Sequence, residues 1–251
     1  MSCEFHVIIP ARYHSSRLPG KLMMEIEGIT VIERVYRQAL QAKPKSITIA
    51  TDHLIIAKHA ESFGAQVKMT ALSHQTGTDR IAEVVVSGQF SPQDIIVNVQ
   101  GDEPFIAPEL IAQVARSLYD SPTPMATLCW PLDQQEQLQN SNVVKVVRDC
   151  NNNALYFSRS AIPANRDNPN SIKNVFRHIG LYAYRAFFLL DFVNWPVCEL
   201  EATEALEQLR VLWAGHQIRV ETACVSPLQD INTKEDLVLA RKFVSSLYET
   251  N

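Results

Sequence analysis

A loop rich in cationic side chains follows the first apolar segment of the chain. This loop, Pro10–Lys21, reads PARYHSSRLPGK and carries Arg12, Arg17 and Lys21 beside two serines and a glycine. Lysine supplies a point charge and arginine a planar fork of donors, so such a set suits a triphosphate. The loop lacks the GxxxxGK[ST] of a Walker motif and the GxGxxG of a dinucleotide turn. The alternative to phosphate binding is a solvated basic loop.

A carboxylate follows a second apolar segment. Residues Ile95–Pro104 read IIVNVQGDEP, and Asp102 is the first acidic side chain after the apolar run. Gly101 permits a close approach of the backbone to a ligand. Mg²⁺ prefers oxygen ligands and is usually held by one or two carboxylates plus substrate phosphates. We therefore predict that Asp102 binds Mg²⁺; the alternative is a turn in which Asp102 bonds its own backbone.

Strand-like and helical segments alternate over the first 120 residues, and this alternation positions both groups. The predicted strands are Phe5–Ile9, Ile47–Ala50, Gln66–Met69 and Ile95–Val99, and the predicted helices are Val31–Ala42, Leu54–Phe63, Ile81–Val86 and Pro108–Tyr119. This rhythm predicts right-handed crossovers and a doubly wound α/β fold with a mostly parallel sheet. Ligands of such sheets lie beyond the carboxyl ends of the strands, so the cationic loop and Asp102 are expected at one edge.

The pattern changes after about residue 121. Further strands are predicted at Met125–Trp130, Val143–Val147, Ala154–Ser158, Gly180–Arg185 and Ile218–Thr222, with helices at Ala202–Trp213 and Lys234–Tyr248. Because only loops join the first of these strands, this part of the sheet is expected to be mixed. The sequence contains no convincing linker. We therefore predict a single domain, 1–251, with an inserted antiparallel piece.

Composition excludes several classes of protein. The chain is 46% hydrophobic and 20% charged with a net charge of −4, values that disfavour disorder and nucleic-acid binding driven by bulk charge. Five scattered cysteines lack metal-ligand spacing and are typical of reduced intracellular thiols. The first residues lack the apolar run of a signal peptide, and no segment approaches the ~18 apolar residues needed to span a bilayer. We expect a cytoplasmic protein without membrane insertion.

Several motifs together resemble a known family. They are IIPARYHSSRLPGK (8–21), ATDH (50–53), HQTGTDRIAE (74–83), VNVQGDEP (97–104), VVKVV (143–147), ALYFSRSAIP (154–163), RHIGLYAYR (177–185), LEQLRVLW (206–213) and INTKEDL (231–237). The sequence resembles the nucleotidylyltransferases that activate acidic sugars, and among them the 3-deoxy-manno-octulosonate (Kdo) cytidylyltransferases. The resemblance extends from about Val7 to Ala240.

This resemblance implies a particular reaction, a cellular location and a biosynthetic pathway. CTP and Kdo would give CMP-Kdo and pyrophosphate on a Rossmann-like nucleotidyltransferase fold that depends on Mg²⁺. The enzyme would be a cytoplasmic homodimer in lipopolysaccharide biosynthesis. Residues of approximately 125–200 would contain the sugar-binding and dimerisation insertion.

The resemblance also implies roles for individual residues. The matched nucleotide-binding positions are Pro10, Ala11, Arg12, Ser16, Arg17, Lys21, Thr78, Arg80 and Gln100. The matched sugar-binding positions are Arg159, His178, Tyr182, Glu207 and Gln208, with Arg159 as the cation for the Kdo carboxylate. Arg12, Lys21 and Asp102 are the expected catalytic residues. Without the resemblance, His178 is equally well explained as a structural histidine, and Glu207 and Gln208 as part of a solvated helix face.

One departure from the family pattern affects the metal site. The family motif V-D-T-x-E-D-L reads INTKEDL here, so Asn232 stands where the second metal-binding aspartate is expected. Asp230, two residues earlier, is a possible substitute, and Asn232 also suits the N-cap of the following helix. This departure motivates one rival hypothesis, a catalytically weak protein that binds CTP or a sugar acid. The other rival is a cytidylyltransferase for 8-amino Kdo.

Overall fold

Alternating strands and helices build one large sheet and a small hairpin. The computed structural model describes residues 3–13, 18–228, 231 and 233–249. The strands are β1 (His6–Ala11), β2 (Glu25–Ile26), β3 (Ile29–Thr30), β4 (Ser46–Thr51), β5 (Gln66–Met69), β6 (Ile95–Asn98), β7 (Met125–Pro131), β8 (Lys145–Arg148), β9 (Ala154–Ser158), β10 (Phe176–Arg185) and β11 (Ile218–Thr222). The helices are α1 (Val31–Gln41), α2 (Leu54–Ser62), α3 (Gly77–Ser87), α4 (Pro108–Tyr119), α5 (Glu136–Gln139), α6 (Ala186–Phe192), α7 (Glu199–Glu204), α8 (Leu209–Trp213) and α9 (Lys234–Glu249).

The main sheet confirms the predicted fold class. Its strand order is β11-β7-β10-β6-β1-β4-β5, and β8 and β9 extend it beside β10. Strands β4, β1 and β6 pair in parallel, as do β4 with β5 and β7 with β11. Strand β10 runs antiparallel to both of its neighbours in this order, β6 and β7. The sheet is therefore mostly parallel and mixed, and each of its antiparallel pairs includes a strand from the stretch that the sequence marked as different.

Helices cover both faces of the sheet, because side chains alternate along each strand. On β1, Val7 and Ile9 join the core beneath α1, α2 and α4, while Ile8 joins the core beneath α3, α6 and α8. Both cores are built from buried hydrophobic side chains, mostly aliphatic, and the core beneath α3, α6 and α8 also contains Phe157, Phe188 and Phe192. No helix in the described part of the chain is both long and apolar enough to cross a bilayer.

Helix α3 begins earlier than its apolar pattern predicts. The expected start was Ile81, but the helix begins at Gly77. Thr76 accepts a hydrogen bond from Asp79 N, and the Asp79 side chain accepts one from Thr76 N. This capping box gives hydrogen-bond partners to the amides of Thr76 and Asp79, which have none within the helix. It extends α3 by one polar turn before the apolar residues. That turn brings Thr78 and Arg80 to the carboxyl edge of the sheet.

The helix predicted over Ala202–Trp213 was wrong, because the chain breaks it into two short helices. Helix α7 ends at Glu204, and Ala205 adopts a left-handed conformation with φ of 49°. Leu206 is buried just after this turn, and α8 begins only at Leu209. The break separates Glu204 from Glu207 and turns the two carboxylates toward different partners.

Ala205→Gly is expected to stabilise the protein. A left-handed conformation costs an L residue about 1 kcal/mol, and glycine avoids this cost at a helix C-terminus. The free energy of unfolding, measured by urea denaturation, should rise by about 0.5–1 kcal/mol. Ala202→Gly inside α7 is the matched control and should lower it by a similar amount. A loss of stability in Ala205→Gly would contradict the assigned conformation.

Candidate active site

Three neighbouring parallel strands deliver polar side chains to one edge of the sheet. Arg12 follows the end of β1, Asp52 follows the end of β4, and Gln100 and Asp102 follow the end of β6. Since β1 pairs in parallel with both β4 and β6, these strand ends meet at the carboxyl edge. This is the edge at which open α/β sheets bind ligands. The sequence placed the cationic loop and Asp102 together, and the structure brings Lys21 of this loop into contact with Asp102.

Two glycines permit the close contacts at this edge. A Cβ atom on Gly101 would lie 2.8 Å from the carbonyl oxygen of Pro10 and 3.4 Å from a methyl group of Leu22. A Cβ atom on Gly77 would lie 3.3 Å from the Pro10 ring and 3.9 Å from Gln100 Oε1. The start of α3, the end of β1 and the turn after β6 therefore converge on Pro10.

Lys21 and Asp102 form an ion pair at this edge. Lys21 Nζ contacts Asp102 Oδ2 and lies 3.2 Å from the carbonyl oxygen of Ile231. The amide of Ile231 donates to the Asp102 carbonyl oxygen at 3.1 Å, so the C-terminal segment lies against the same turn. The predicted metal residues Asp230 and Asn232 flank Ile231 but lie outside the described residues, as do Ser16 and Arg17 of the cationic loop.

The Asp102 carboxylate suits a metal ion that takes most of its other ligands from a bound phosphate and from water. No cluster of three or more His, Cys, Asp or Glu side chains with metal-binding geometry is found within the described ranges. Asp102 keeps a quarter of its side chain exposed. A single carboxylate is a poor cage by itself, but it fits Mg²⁺ whose remaining ligands are water and substrate phosphates.

Arg12 is held by a loop that sequence reasoning did not single out as support. Its Nη2 donates to the carbonyl oxygen of His74, while its Nε is buried without a hydrogen-bond partner in the described part of the chain. The His74 ring contacts Glu83 on α3, and Glu83 Oε2 also accepts the amide of Ala71 at 2.9 Å. The hydrogen bond from the Ala71 amide is the largest cause that lowers the pKa of Glu83, and the hydrogen bond with His74 is the next largest. The loop is thereby anchored to α3.

Arg80 is buried beneath the edge. Its side chain is fully buried, with Nη2 2.7 Å from Asp52 Oδ2 and Nη1 donating to the hydroxyl of Thr70. Arg80 Nε and Asp52 Oδ1 are buried without partners among the described residues. The signal for Asp52 was present in the sequence, since it lies two residues after the predicted strand Ile47–Ala50, much as Asp102 lies three residues after Ile95–Val99. That Asp52 lies beneath the site follows only from the pairing register of β4 with β1.

Glu207 joins helix α3 to the segment between α7 and α8. Thr78 on α3 donates its hydroxyl proton to Glu207 Oε2 at 2.6 Å. Burial raises the pKa of Glu207, while the Thr78 hydrogen bond and the charge of Arg210, 3.6 Å away, partly oppose this shift. Arg210 is itself held by both carboxylate oxygens of Glu201, at 2.8 and 3.0 Å.

Gln208, His178 and Tyr182 are further residues that the sequence predicts to bind the sugar, and each is at least partly buried. Gln208 is only 5% exposed, and its Nε2 has no hydrogen-bond partner in the described ranges. The His178 ring packs 5.0 Å from Phe157 and 5.3 Å from Tyr182 between ring centroids. Burial lowers the pKa of His178 to about 3. A buried donor and a neutral imidazole suit a polar, uncharged part of a ligand.

Arg159 is fixed by backbone carbonyl groups. Its Nε donates to Glu204 O at 2.6 Å, its Nη1 to Ser141 O at 2.9 Å and its Nη2 to Ala205 O at 3.2 Å. The amide of Arg159 donates to the Glu204 carboxylate, and its carbonyl oxygen accepts from the buried Lys145. Three of the five guanidinium N–H groups are thus used, and two remain for a ligand. Sequence reasoning assigned no supporting role to Glu204 or to Lys145.

Comparison with known protein families identifies the family of this chain. A family model described as cytidylyltransferase matches residues 6–218. The chain belongs to the cytidylyltransferase family.

Relatives within this family confirm the resemblance seen in the sequence. The chain is 68% identical over 243 residues to a 3-deoxy-manno-octulosonate cytidylyltransferase of Legionella pneumophila strain Lens, covering 97% of each chain. It is 48% identical to the protein of that name from Vibrio campbellii, covering 96% of this chain and 98% of the relative.

Solved structures extend the comparison to the fold. A CMP:2-keto-3-deoxy-manno-octonic acid synthetase complexed with CTP superposes with a TM-score of 0.89 at 36% identity, covering 97% of this chain and 99% of the other. A 4-diphosphocytidyl-2C-methyl-D-erythritol synthase from Anaerococcus prevotii, at 15% identity and a TM-score of 0.64, covers 97% of this chain and 100% of the other and shares the fold.

His178 is expected to make stability depend on pH. Its pKa is about 3 in the folded protein and about 6.5 in a model peptide. Between these values the unfolded chain binds a proton that the folded protein does not, so stability present above pH 6.5 is lost as the pH falls. We expect His178→Gln to reduce this slope by up to ~1.4 kcal/mol per pH unit in urea unfolding at a series of pH values. Equal slopes for the two proteins would contradict the buried neutral ring.

Proposed function

We propose that this cytidylyltransferase transfers the cytidylyl group of CTP to Kdo. The sugar hydroxyl attacks the α-phosphorus in line, a new P–O bond forms, and the bond to the bridging oxygen of pyrophosphate breaks. The hydroxyl proton is lost and pyrophosphate leaves. The products are CMP-Kdo and pyrophosphate, in agreement with the names of the close relatives.

The geometric observation that carries this proposal is the hydrogen bond from Thr78 to Glu207. Helix α3 begins against Pro10 and Gln100 on the nucleotide side. Glu207 adjoins Gln208, which presents a buried unpartnered donor on the sugar side. A single direct contact therefore joins the two halves, so one cleft holds both substrates. Transfer between two bound substrates depends mainly on such positioning.

On the nucleotide side, cations oppose the charge of the triphosphate. Lys21 and Arg12 offset the negative charge that develops on the leaving pyrophosphate. Lys21 exchanges its contact with Asp102 for the phosphates. The partnerless Nε of Arg12 provides a further N–H for an anionic oxygen. Pro10, Ala11, Gln100 and Thr78 shape this half, and Arg80 supports it from beneath.

We infer that Asp102 holds Mg²⁺ together with the nucleotide phosphates. When bound, Mg²⁺ neutralises phosphate charge and lowers the pKa of the attacking hydroxyl. Asp102 is suited to this role because it is a partly exposed carboxylate at the edge where the phosphates are expected. Lys21 keeps this carboxylate paired until the substrates arrive.

On the sugar side, donors outnumber acceptors. The two unused N–H groups of Arg159 suit the carboxylate of a sugar acid. Gln208 Nε2 offers another donor, and Glu207 with His178 offers acceptors for hydroxyl groups. Tyr182 packs against His178 and limits the width of this half.

Pyrophosphate release is the decisive measurement. With CTP, Mg²⁺ and Kdo, we expect release that requires all three, and Lys21→Met should lower kcat by ~10²–10³-fold because a preorganised charge is lost. Lys45→Met is the matched control, since Lys45 pairs with Glu4 on the surface and should not affect kcat. UTP, ATP and 8-amino Kdo serve as competing substrates. CTP binding without release would favour the binding-protein hypothesis, and a preference for 8-amino Kdo would replace the proposed acceptor.

We also propose that the enzyme is a cytoplasmic homodimer, as the family resemblance implies. Residues 125–200, which hold β7–β10, are the proposed dimerisation insertion. Light scattering of the purified protein should give twice the mass of the chain. A monomer at micromolar concentration would contradict this proposal.

A further inference from the structure

A bulge in β10 lies beside the predicted sugar contact His178. Ile179 pairs with Leu128 and Tyr182 pairs with Thr127, so two residues of β10 have no counterpart on β7. Bulges redirect side chains and are common next to active sites. Ile179 is the last paired residue before the bulge, and Leu181 lies within it.

The Thr127 hydroxyl fills this bulge. Thr127 is fully buried, and its Oγ1 lies 2.9 Å from Ile179 O, 2.8 Å from Leu181 O and 3.1 Å from His178 Nε2. A hydroxyl group has one proton, and carbonyl oxygens only accept hydrogen bonds. With the proton directed to a carbonyl, the hydroxyl oxygen is left as an acceptor. His178 Nε2 must then carry a hydrogen and donate it to Thr127.

The surroundings of His178 keep the ring neutral. Phe157 and Tyr182 pack against it, and burial is the only cause acting on its pKa, which falls to about 3. A neutral imidazole with hydrogen on Nε2 has a lone pair on Nδ1. His178 is only partly buried, and Nδ1 has no hydrogen-bond partner among the described residues. It is therefore an open acceptor on the sugar side.

We propose that Thr127 is a positioning residue that holds His178 as the Nε2–H tautomer, so that Nδ1 accepts a hydrogen bond from a sugar hydroxyl. The identity of the ligand as a sugar acid rests on the proposed function, whereas the tautomer rests on the hydrogen-bond geometry alone. An anionic oxygen at Nδ1 would face a lone pair and be repelled. The acceptor at His178 and the donors of Arg159 and Gln208 thereby orient the acid: hydroxyl toward His178, carboxylate toward the donors.

The tautomer can be observed directly, without turnover. In protein labelled with ¹⁵N-histidine, a long-range ¹H–¹⁵N correlation spectrum at pH 7.5 distinguishes protonated from unprotonated ring nitrogens. The signals of His178 are those lost in His178→Gln. We expect a pyrrole-type Nε2 and a pyridine-type Nδ1 in the wild-type protein. An Nδ1–H tautomer, a mixture or an imidazolium would overturn the proposal, whether or not the protein turns over Kdo.

Kinetics of matched variants test the consequence for the substrate. Thr127→Val removes the hydroxyl at constant shape, so both tautomers should appear and KM for Kdo should rise about tenfold, the value of one hydrogen bond, with KM for CTP unchanged. Thr127→Ser restores the hydroxyl and should restore both the single tautomer and the wild-type KM. Thr123→Val is the control, because the Thr123 hydroxyl is buried and bonds Met125 O without touching His178.

The outcomes separate positioning from simple support of the fold. If Thr127→Val keeps the Nε2–H tautomer, or raises KM for CTP and Kdo equally, the proposed role of Thr127 is wrong. If Thr127→Ser does not restore the tautomer, the hydroxyl is not its cause. If the wild-type protein releases no pyrophosphate with CTP and Kdo, the proposed function fails, while the spectrum still decides the tautomer.

Discussion

The contact between Gly101 and Pro10 is the constraint on which the candidate site depends. The backbone after β6 passes so close to the Pro10 carbonyl oxygen that a Cβ atom would lie 2.8 Å from it. This contact, together with parallel pairing of β1 with β6, brings Asp102 within reach of Lys21. Any larger residue would push the carboxylate away from the cations, since neither strand can move without breaking sheet hydrogen bonds. The contact between Lys21 and Asp102 therefore depends on the absence of a side chain at Gly101.

A second property of the site is its supply of buried polar atoms without partners. Arg12 Nε, Arg80 Nε, Asp52 Oδ1 and Gln208 Nε2 are all buried and unpartnered within the described part of the chain. Each such atom costs about 1–3 kcal/mol. Arg12 lies at the carboxyl edge of the sheet, Arg80 and Asp52 pair beneath this edge, and Gln208 directly follows Glu207.

Arg159, a predicted sugar-binding residue, is held by backbone carbonyl groups and by the Glu204 carboxylate. Arg159 is held by three carbonyl oxygens, two of which belong to the turn around Ala205. The same turn separates Glu204, which binds the backbone of Arg159, from Glu207, which binds Thr78. A continuous helix would have placed both carboxylates near one face. The left-handed residue therefore allows one short segment to bond both Arg159 and Thr78.

The sequence by itself determined the nine strands that the described part of the chain contributes to the main sheet, the longer helices, the mixed sheet and the edge at which Lys21 and Asp102 meet. These follow from local periodicity and from the rule that ligands bind beyond the carboxyl ends of parallel strands. Tertiary structure decided the break at Ala205, the bulge beside His178, the burial of Arg80 on Asp52, and the supporting roles of Lys145 and Thr127. The physical reason is that each of these depends on hydrogen-bond partners far away in the chain, and periodicity contains no information about such partners.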